Sequence, residues 1–159
     1  MKAASLNEIR KQLSALDSDA LEKICLRLAR YKVENKELMT YLLFEAHDEQ
    51  AYVSGIRSEL DALFETLPKG NVYYVKKSVR KIVRVMNKQI KYSGMHLTEL
   101  EVRIYFCLKM KAQVPLQEGT VLFNLYQQQL GKIEKILSRI PEDLRFDYDR
   151  DLNKLGVNV

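Results

Sequence analysis

The stretch that decides the fold is residues 72–92, which read VYYVKKSVRKIVRVMNKQIKY. On a helix that turns about 100° per residue, the apolar side chains of this stretch occupy roughly one third of the circumference. The basic side chains occupy a separate arc of about 140°. Val, Ile and Tyr favour strands, but the two-residue alternation of a strand does not persist here. The pattern therefore predicts an amphipathic helix with one cationic face.

The positive charge of this helix is not balanced by acidic residues near it in the sequence. From Thr66 to Thr98 there is no Asp or Glu in 33 positions, and eight residues are Lys or Arg. The rest of the chain has 18 basic and 21 acidic residues, so the net charge of +5 originates in this stretch. The candidate anion-binding or partner-binding residues are Lys76, Lys77, Arg80, Lys81, Arg84, Lys88, Lys91 and Tyr73.

The sequence on either side of this stretch also predicts helices. Apolar residues recur at helical spacing, Gly and Pro are scarce, and polar residues that favour helix starts precede most of the apolar runs. We expect seven or eight antiparallel helices in an all-α fold. Their predicted starts and spans are residues 6–16, Asp19 onward, a helix capped by Asn35, one capped by Asp48, residues 72–92, Thr98 to Ala112, residues 117–139, and a short helix with Pro141 at its first position.

Two architectures fit this order of helices. The breaks group them as roughly 5–32, 35–66, 71–112 and 117–155, and units of this size resemble the helical hairpins of a HEAT-like α-α superhelix. No residue pattern repeats between the units, so a compact irregular bundle remains the alternative. The length predicts one domain, residues 1–159, and the apolar residues around Tyr41 suggest that the third helix is central.

The sequence contains few residues suited to catalysis or to binding a metal or cofactor. Cys25 and Cys107 lie among apolar residues, which predicts two buried thiols. The Glu45-to-Glu49 cluster around His47 does not have the spacing of a known metal motif, and no glycine-rich phosphate loop occurs. We therefore expect no cofactor, no metal and no catalytic residue. The absence of an apolar signal segment or bilayer-spanning run predicts a cytoplasmic protein.

The basic helix suggests the function, and several alternatives follow from it. Our leading hypothesis is a non-catalytic scaffold or adaptor that binds a partner with an acidic surface. A sequence-tolerant nucleic-acid-binding protein using the same face is the alternative, with phosphates at the cations and a base against Tyr73. Three further alternatives are a solvated face, attachment to an anionic membrane, and pairing with the acidic residues after Pro141. An enzyme without a recognisable motif is the third class.

Overall fold

The computed structural model describes residues 1–157, most of which are helical. Helix accounts for 79% of it, and the described residues contain no strand. The prediction of an all-α fold is confirmed. The chain divides into two compact units, Met1–Phe44 and a second unit that begins at Glu45. The single domain inferred from length stays a prediction.

The first unit consists of α1 (Leu6–Ser14), α2 (Ser18–Tyr31) and α3 (Val33–Thr40), and a π-helical turn, Tyr41–Glu45, follows α3. Ser5 and Glu8 form the predicted capping box at α1, with the Ser5 amide donating to Glu8 Oε2 at 2.8 Å. Asp17 caps α2 by accepting from the Ala20 amide at 2.8 Å. No residue is buried in α1, α2 or α3, all three of which are fully described.

Two expectations for α3 are wrong. Asn35 does not cap the helix but lies inside it, where its side-chain amide donates to the Leu28 carbonyl at 2.8 Å and joins α3 to α2. Nor is α3 a central helix, because its apolar side chains are spread around its circumference and none is buried. Tyr41 in the turn that follows is buried, whereas Phe44 is exposed.

The second unit is built around one helix. Its elements are α4 (Glu49–Glu65), α5 (Val72–Ser93), α6 (His96–Gln113), α7 (Val121–Leu137), α8 (Glu142–Arg145), a 3-10 turn (Phe146–Tyr148) and α9 (Asp149–Leu155). α6 packs against α4, α5, α7 and α9. Phe106 and Met110 of α6 are fully buried, as are Leu60 of α4, Ile133 of α7 and Leu152 of α9. Within this unit the helices therefore form a bundle around α6.

α5 matches the helix predicted for residues 72–92 to within one residue. Asn71 caps its start by accepting from the Tyr73 amide at 2.9 Å, and Gly94 ends it with a φ of 68°. The buried stripe consists of Val79, Ile82, Met86 and Ile90. Three of the strand-favouring residues, Val79, Ile82 and Ile90, lie on this stripe, where packing outweighs intrinsic propensity.

The predicted starts of the last helices are displaced from the observed ones. Thr98 is not a cap, because α6 begins at His96. Thr98 is buried, and its hydroxyl donates to Glu49 Oε1 at 2.5 Å. α7 begins at Val121, with Thr120 as its cap, rather than near residue 117. Pro141 precedes α8 instead of occupying its first position.

Candidate anion-binding groove

An open groove runs along the junction of α5 and α7. Its volume is about 600 Å³. Three turns of α5 and one residue of α7 supply its lining, which comprises Tyr73, Lys76, Lys77, Arg80, Val83, Arg84 and Leu125. Because these α5 positions are three or four residues apart, the helix repeat brings them to one side.

The groove combines an apolar strip with a cationic margin. Val83 and Leu125 are half-buried and contribute the apolar surface, one from each helix. Lys77, Arg80 and Arg84 are exposed. Tyr73 is 61% exposed, and the Lys76 ammonium lies 5.5 Å from the centre of its ring. The groove thus offers an aromatic ring, an apolar strip and four positive charges to one ligand.

Within the described part of the chain, no carboxylate offsets these charges locally. Among the described residues, Lys76, Lys77, Arg80 and Arg84 have no Asp or Glu oxygen within 4 Å. The two helices that form the groove explain this: α5 contains no acidic residue, and the first in α7 is Glu134. The groove is therefore a region of positive potential that favours an anionic ligand.

The structure brings together five of the eight residues singled out from the sequence. Tyr73, Lys76, Lys77, Arg80 and Arg84 all line the groove. The lining does not include the other three, Lys81, Lys88 and Lys91. Lys81 and Lys91 are exposed, and Lys88 is half-buried. The cationic face of α5 is thus divided between a grouped set in the groove and cations outside it.

The acidic segment after Pro141 makes its described contacts away from the groove. Asp151 pairs with Lys154 of its own helix at 2.6 Å. The hydroxyl of Tyr148 donates to Glu101 of α6 at 3.0 Å. Asp147 and Tyr148 line a separate pocket of about 400 Å³ near α4 and α6. These contacts turn the C-terminal segment toward α6, and no described contact joins it to the groove cations.

A buried arginine that no sequence pattern indicates joins the helices of the groove. Arg103 of α6 is 4% exposed. It donates to Glu99 Oε1 at 2.7 Å, to Asn87 Oδ1 of α5 at 3.1 Å and to Gln129 Oε1 of α7 at 2.6 Å. Burial, together with the Arg103 charge, lowers the pKa of Lys132. Asn87 and Gln129 lie one turn beyond Val83 and Leu125, so Arg103 fixes α5 and α7 at one end of the groove.

A second polar network joins α4 to α6. Arg57 pairs with Glu101 at 3.1 Å, and Asp61 pairs with Lys109 at 2.5 Å while accepting from the Tyr105 hydroxyl at 2.6 Å. The hydrogen bonds from Lys109 and Tyr105 hold the pKa of Asp61 below its ordinary value. Apart from the Arg57 Nε, which is buried without a partner among the described residues, these groups bond one another, which is typical of a structural network.

The pocket near α4 and α6 contains three carboxylates, and those of Glu49 and Glu101 already accept hydrogen bonds. Glu49 accepts from the hydroxyls of Ser93 and Thr98. Glu101 accepts from Arg57 and Tyr148. Within residues 1–157, no three His, Cys, Asp or Glu side chains are grouped so as to hold a metal ion.

The two thiols differ in their surroundings. Cys25 is exposed, which corrects the expectation that both are buried; α2 buries none of its residues. Cys107 is fully buried in α6, and burial raises the pKa of its thiol to about 12. A thiol with that pKa is protonated at neutral pH and is a poor nucleophile.

Comparisons with models of protein families, with curated proteins and with solved structures found no match to the chain. Across the part of the chain that the structure describes, no helix has the length and apolar character needed to cross a bilayer.

Proposed function

We propose that the protein is a non-catalytic, cytosolic adaptor that binds an acidic segment of a partner protein in the groove between α5 and α7. The observation that carries the proposal is the set of four cations beside an apolar strip, none of which pairs with a carboxylate of residues 1–157. Solvation alone does not require lysine and arginine side chains to border a concavity, because water reaches them equally well on a convex surface. Here the cations border a concavity, which is the shape of a binding site.

The apolar strip favours a polypeptide over a phosphate backbone. Covering Val83 and Leu125 contributes hydrophobic free energy to binding only if the ligand places apolar side chains against them. A peptide with both carboxylates and aliphatic residues supplies both kinds of contact. A nucleic acid engages the cations with phosphates, leaving Val83 and Leu125 to sugars and bases.

One observation favours the nucleic-acid alternative. Tyr73 is exposed beside Lys76, and an aromatic ring next to a cation is a common platform for stacking an unpaired base. That arrangement occupies one end of the lining on α5, whereas Val83 of the apolar strip lies toward the other end. The two ligand classes therefore differ in which part of the groove they use.

Three fluorescent probes separate the two ligand classes: a 20-residue peptide of Glu and Leu, poly-L-glutamate of the same charge, and a 20-nucleotide single-stranded RNA. Anisotropy titrations give their affinities for the full chain. We expect the Glu/Leu peptide to bind most tightly, since only it engages both the cations and the apolar strip. Tighter binding of the RNA, with a steep dependence on salt, would overturn the proposal in favour of nucleic acid.

The location of the site is tested with a charge-matched pair of variants. Arg80→Glu/Arg84→Glu reverses two cations in the groove, and Lys81→Glu/Lys91→Glu makes the same change in net charge on the same helix outside it. We expect the first variant to weaken peptide binding about tenfold or more and the second to have a much smaller effect. Equal losses in the two variants would rule out the groove as the binding site.

A further inference from the structure

The chemistry of the groove also indicates the conformation of its ligand. We infer that the bound segment is an amphipathic α-helix with a stripe of apolar residues and with carboxylates at i, i+4 beside that stripe. This inference rests on the proposed function and specifies the partner that the groove accepts. It follows from two features: the lack of free backbone groups in the walls, and the spacing of the cations.

The walls of the groove offer little to an extended peptide. Both are helices, and the groove-lining residues lie inside them, where backbone amides and carbonyls are already bonded along the helix axis. Val83 and Leu125 add only apolar side chains. An extended segment over this strip would lose water from its own amides without gaining partners, at a cost for each group. A helix satisfies its backbone internally and avoids that cost.

The cations repeat at the pitch of a helix. Lys76, Arg80 and Arg84 are four residues apart, so successive charges are about 6 Å apart along α5. A helix lying along α5 with Glu or Asp at i, i+4 and i+8 presents carboxylates at the same interval. The two rows can then pair without either chain distorting its backbone.

The length of the groove sets the length of the ligand. The lining on α5 extends over residues 73–84, a rise of about 16 Å or three helical turns. A helix of about 12 residues covers it. Its apolar stripe, at i, i+3, i+4 and i+7, faces Val83 and Leu125, and the carboxylates flank that stripe on the α5 side.

The inference is tested with two peptides that differ in helical capacity but carry the same charge and the same leucines. Both have Glu at i, i+4 and i+8 beside a leucine stripe, with alanine at the other positions. In the second peptide, two central alanines are replaced by proline, which prevents a continuous helix. We expect the helical peptide to bind the full chain about tenfold more tightly or better, with a gain of helical circular dichroism on binding.

The possible outcomes separate this inference from the function on which it rests. Equal binding of both peptides to the groove would overturn the helical ligand and leave the acidic-partner proposal standing. Failure of both peptides to bind would overturn the two together. A third peptide has the same composition but has its glutamates spread around the helix, and it tests the spacing of the charges. If its affinity equals that of the first peptide, the glutamates are not matched to the cations of α5.

Two variants of the protein show whether the preference arises in the groove. Leu125→Ala removes apolar surface from a half-buried position, so the fold is expected to persist. It should reduce the preference for the helical peptide, as should Arg80→Glu/Arg84→Glu. The control variant Lys81→Glu/Lys91→Glu should keep it. A helical preference unchanged in all three variants would place the binding elsewhere and refute the inference.

Discussion

Arg103 joins three helices through one side chain. Its guanidinium bonds Asn87 of α5, Gln129 of α7 and Glu99 of its own helix, and it is 4% exposed. The planar guanidinium directs several donors in fixed directions, so a single residue sets the separation of α5 and α7. The width of the groove one turn away therefore depends on this buried contact.

Replacing Arg103 with methionine should lower the free energy of unfolding by about 2–4 kcal/mol. The change keeps the aliphatic stem but leaves the Gln129 carbonyl and the Glu99 carboxylate without their donor. The matched control is Arg57→Met, because Arg57 pairs with Glu101 but is 41% exposed on its side chain. That pair should contribute less than about 1 kcal/mol. Denaturation in urea measures both, and a loss at Arg103 no larger than that at Arg57 would contradict the role given to it.

The cationic groove was partly predictable at the residue scale, whereas the arginine contact was not. Spacing along one helix was enough to group Tyr73, Lys76 and Arg80, because they share a face of α5. Val83 was predicted on the apolar face of that helix, and only the position of α7 makes it part of a groove. Arg103 is one of many arginines in the sequence, and its partners come from two other helices. Contacts between distant elements leave no local pattern.

Gly94 determines where α5 ends. Its φ of 68° is in the left-handed region, which other residues adopt at a cost, and its amide donates to the Ile90 carbonyl at 2.9 Å. Only Met95 separates it from the first residue of α6. The reversal from α5 into the central helix therefore depends on this conformation.

Alanine should have opposite effects at Gly94 and Gly55. A Cβ at either position meets nothing within 4 Å, so the difference comes from the backbone alone. Gly94→Ala should lower the free energy of unfolding by about 1 kcal/mol, because of the positive φ. Gly55→Ala, inside α4, should raise it by about 0.5–1 kcal/mol. Thermal and urea denaturation compare the two, and effects of the same sign would contradict this account.

Helix ends were predictable where the capping contact is local. Ser5 and Asp48 cap helices through amides three residues ahead, and the sequence pattern identifies both. Thr98 has the same local pattern, but its hydroxyl bonds Glu49 of α4 instead. Asn35 similarly bonds a carbonyl of α2. Both predictions were wrong because α3 begins at Val33 and α6 at His96, which places Asn35 and Thr98 inside their helices, where their side chains bond another helix.

The two units differ in how far they bury their apolar residues. In the second unit, α4, α5, α6 and α7 each contribute several buried side chains to the bundle. In the first, α1, α2 and α3 contribute none, although their sequences contain the apolar spacing that predicted helices. Periodicity predicts that a helix is amphipathic, but it does not reveal whether another element covers the apolar face.

This difference predicts unequal sensitivity to the same substitution. Leu60→Ala in α4 removes a side chain that is 0% exposed and should cost about 2–5 kcal/mol of unfolding free energy. Leu28→Ala in α2, where the side chain is 53% exposed, should change it by less than about 0.5 kcal/mol. Urea denaturation of the full chain measures both. A loss at Leu28 approaching that at Leu60 would mean that this leucine is covered in solution.

The separation of charge and apolar surface in the groove has a kinetic consequence. Attraction to Lys76, Lys77, Arg80 and Arg84 acts over a Debye length, about 8 Å at physiological ionic strength, so these residues act before contact. Val83 and Leu125 act only after water has left the interface. For an acidic helix, the cations would therefore govern the rate of capture and the apolar strip the residence time. Substitutions of the cations would therefore change the association rate constant, and substitutions of Val83 or Leu125 would change the dissociation rate constant.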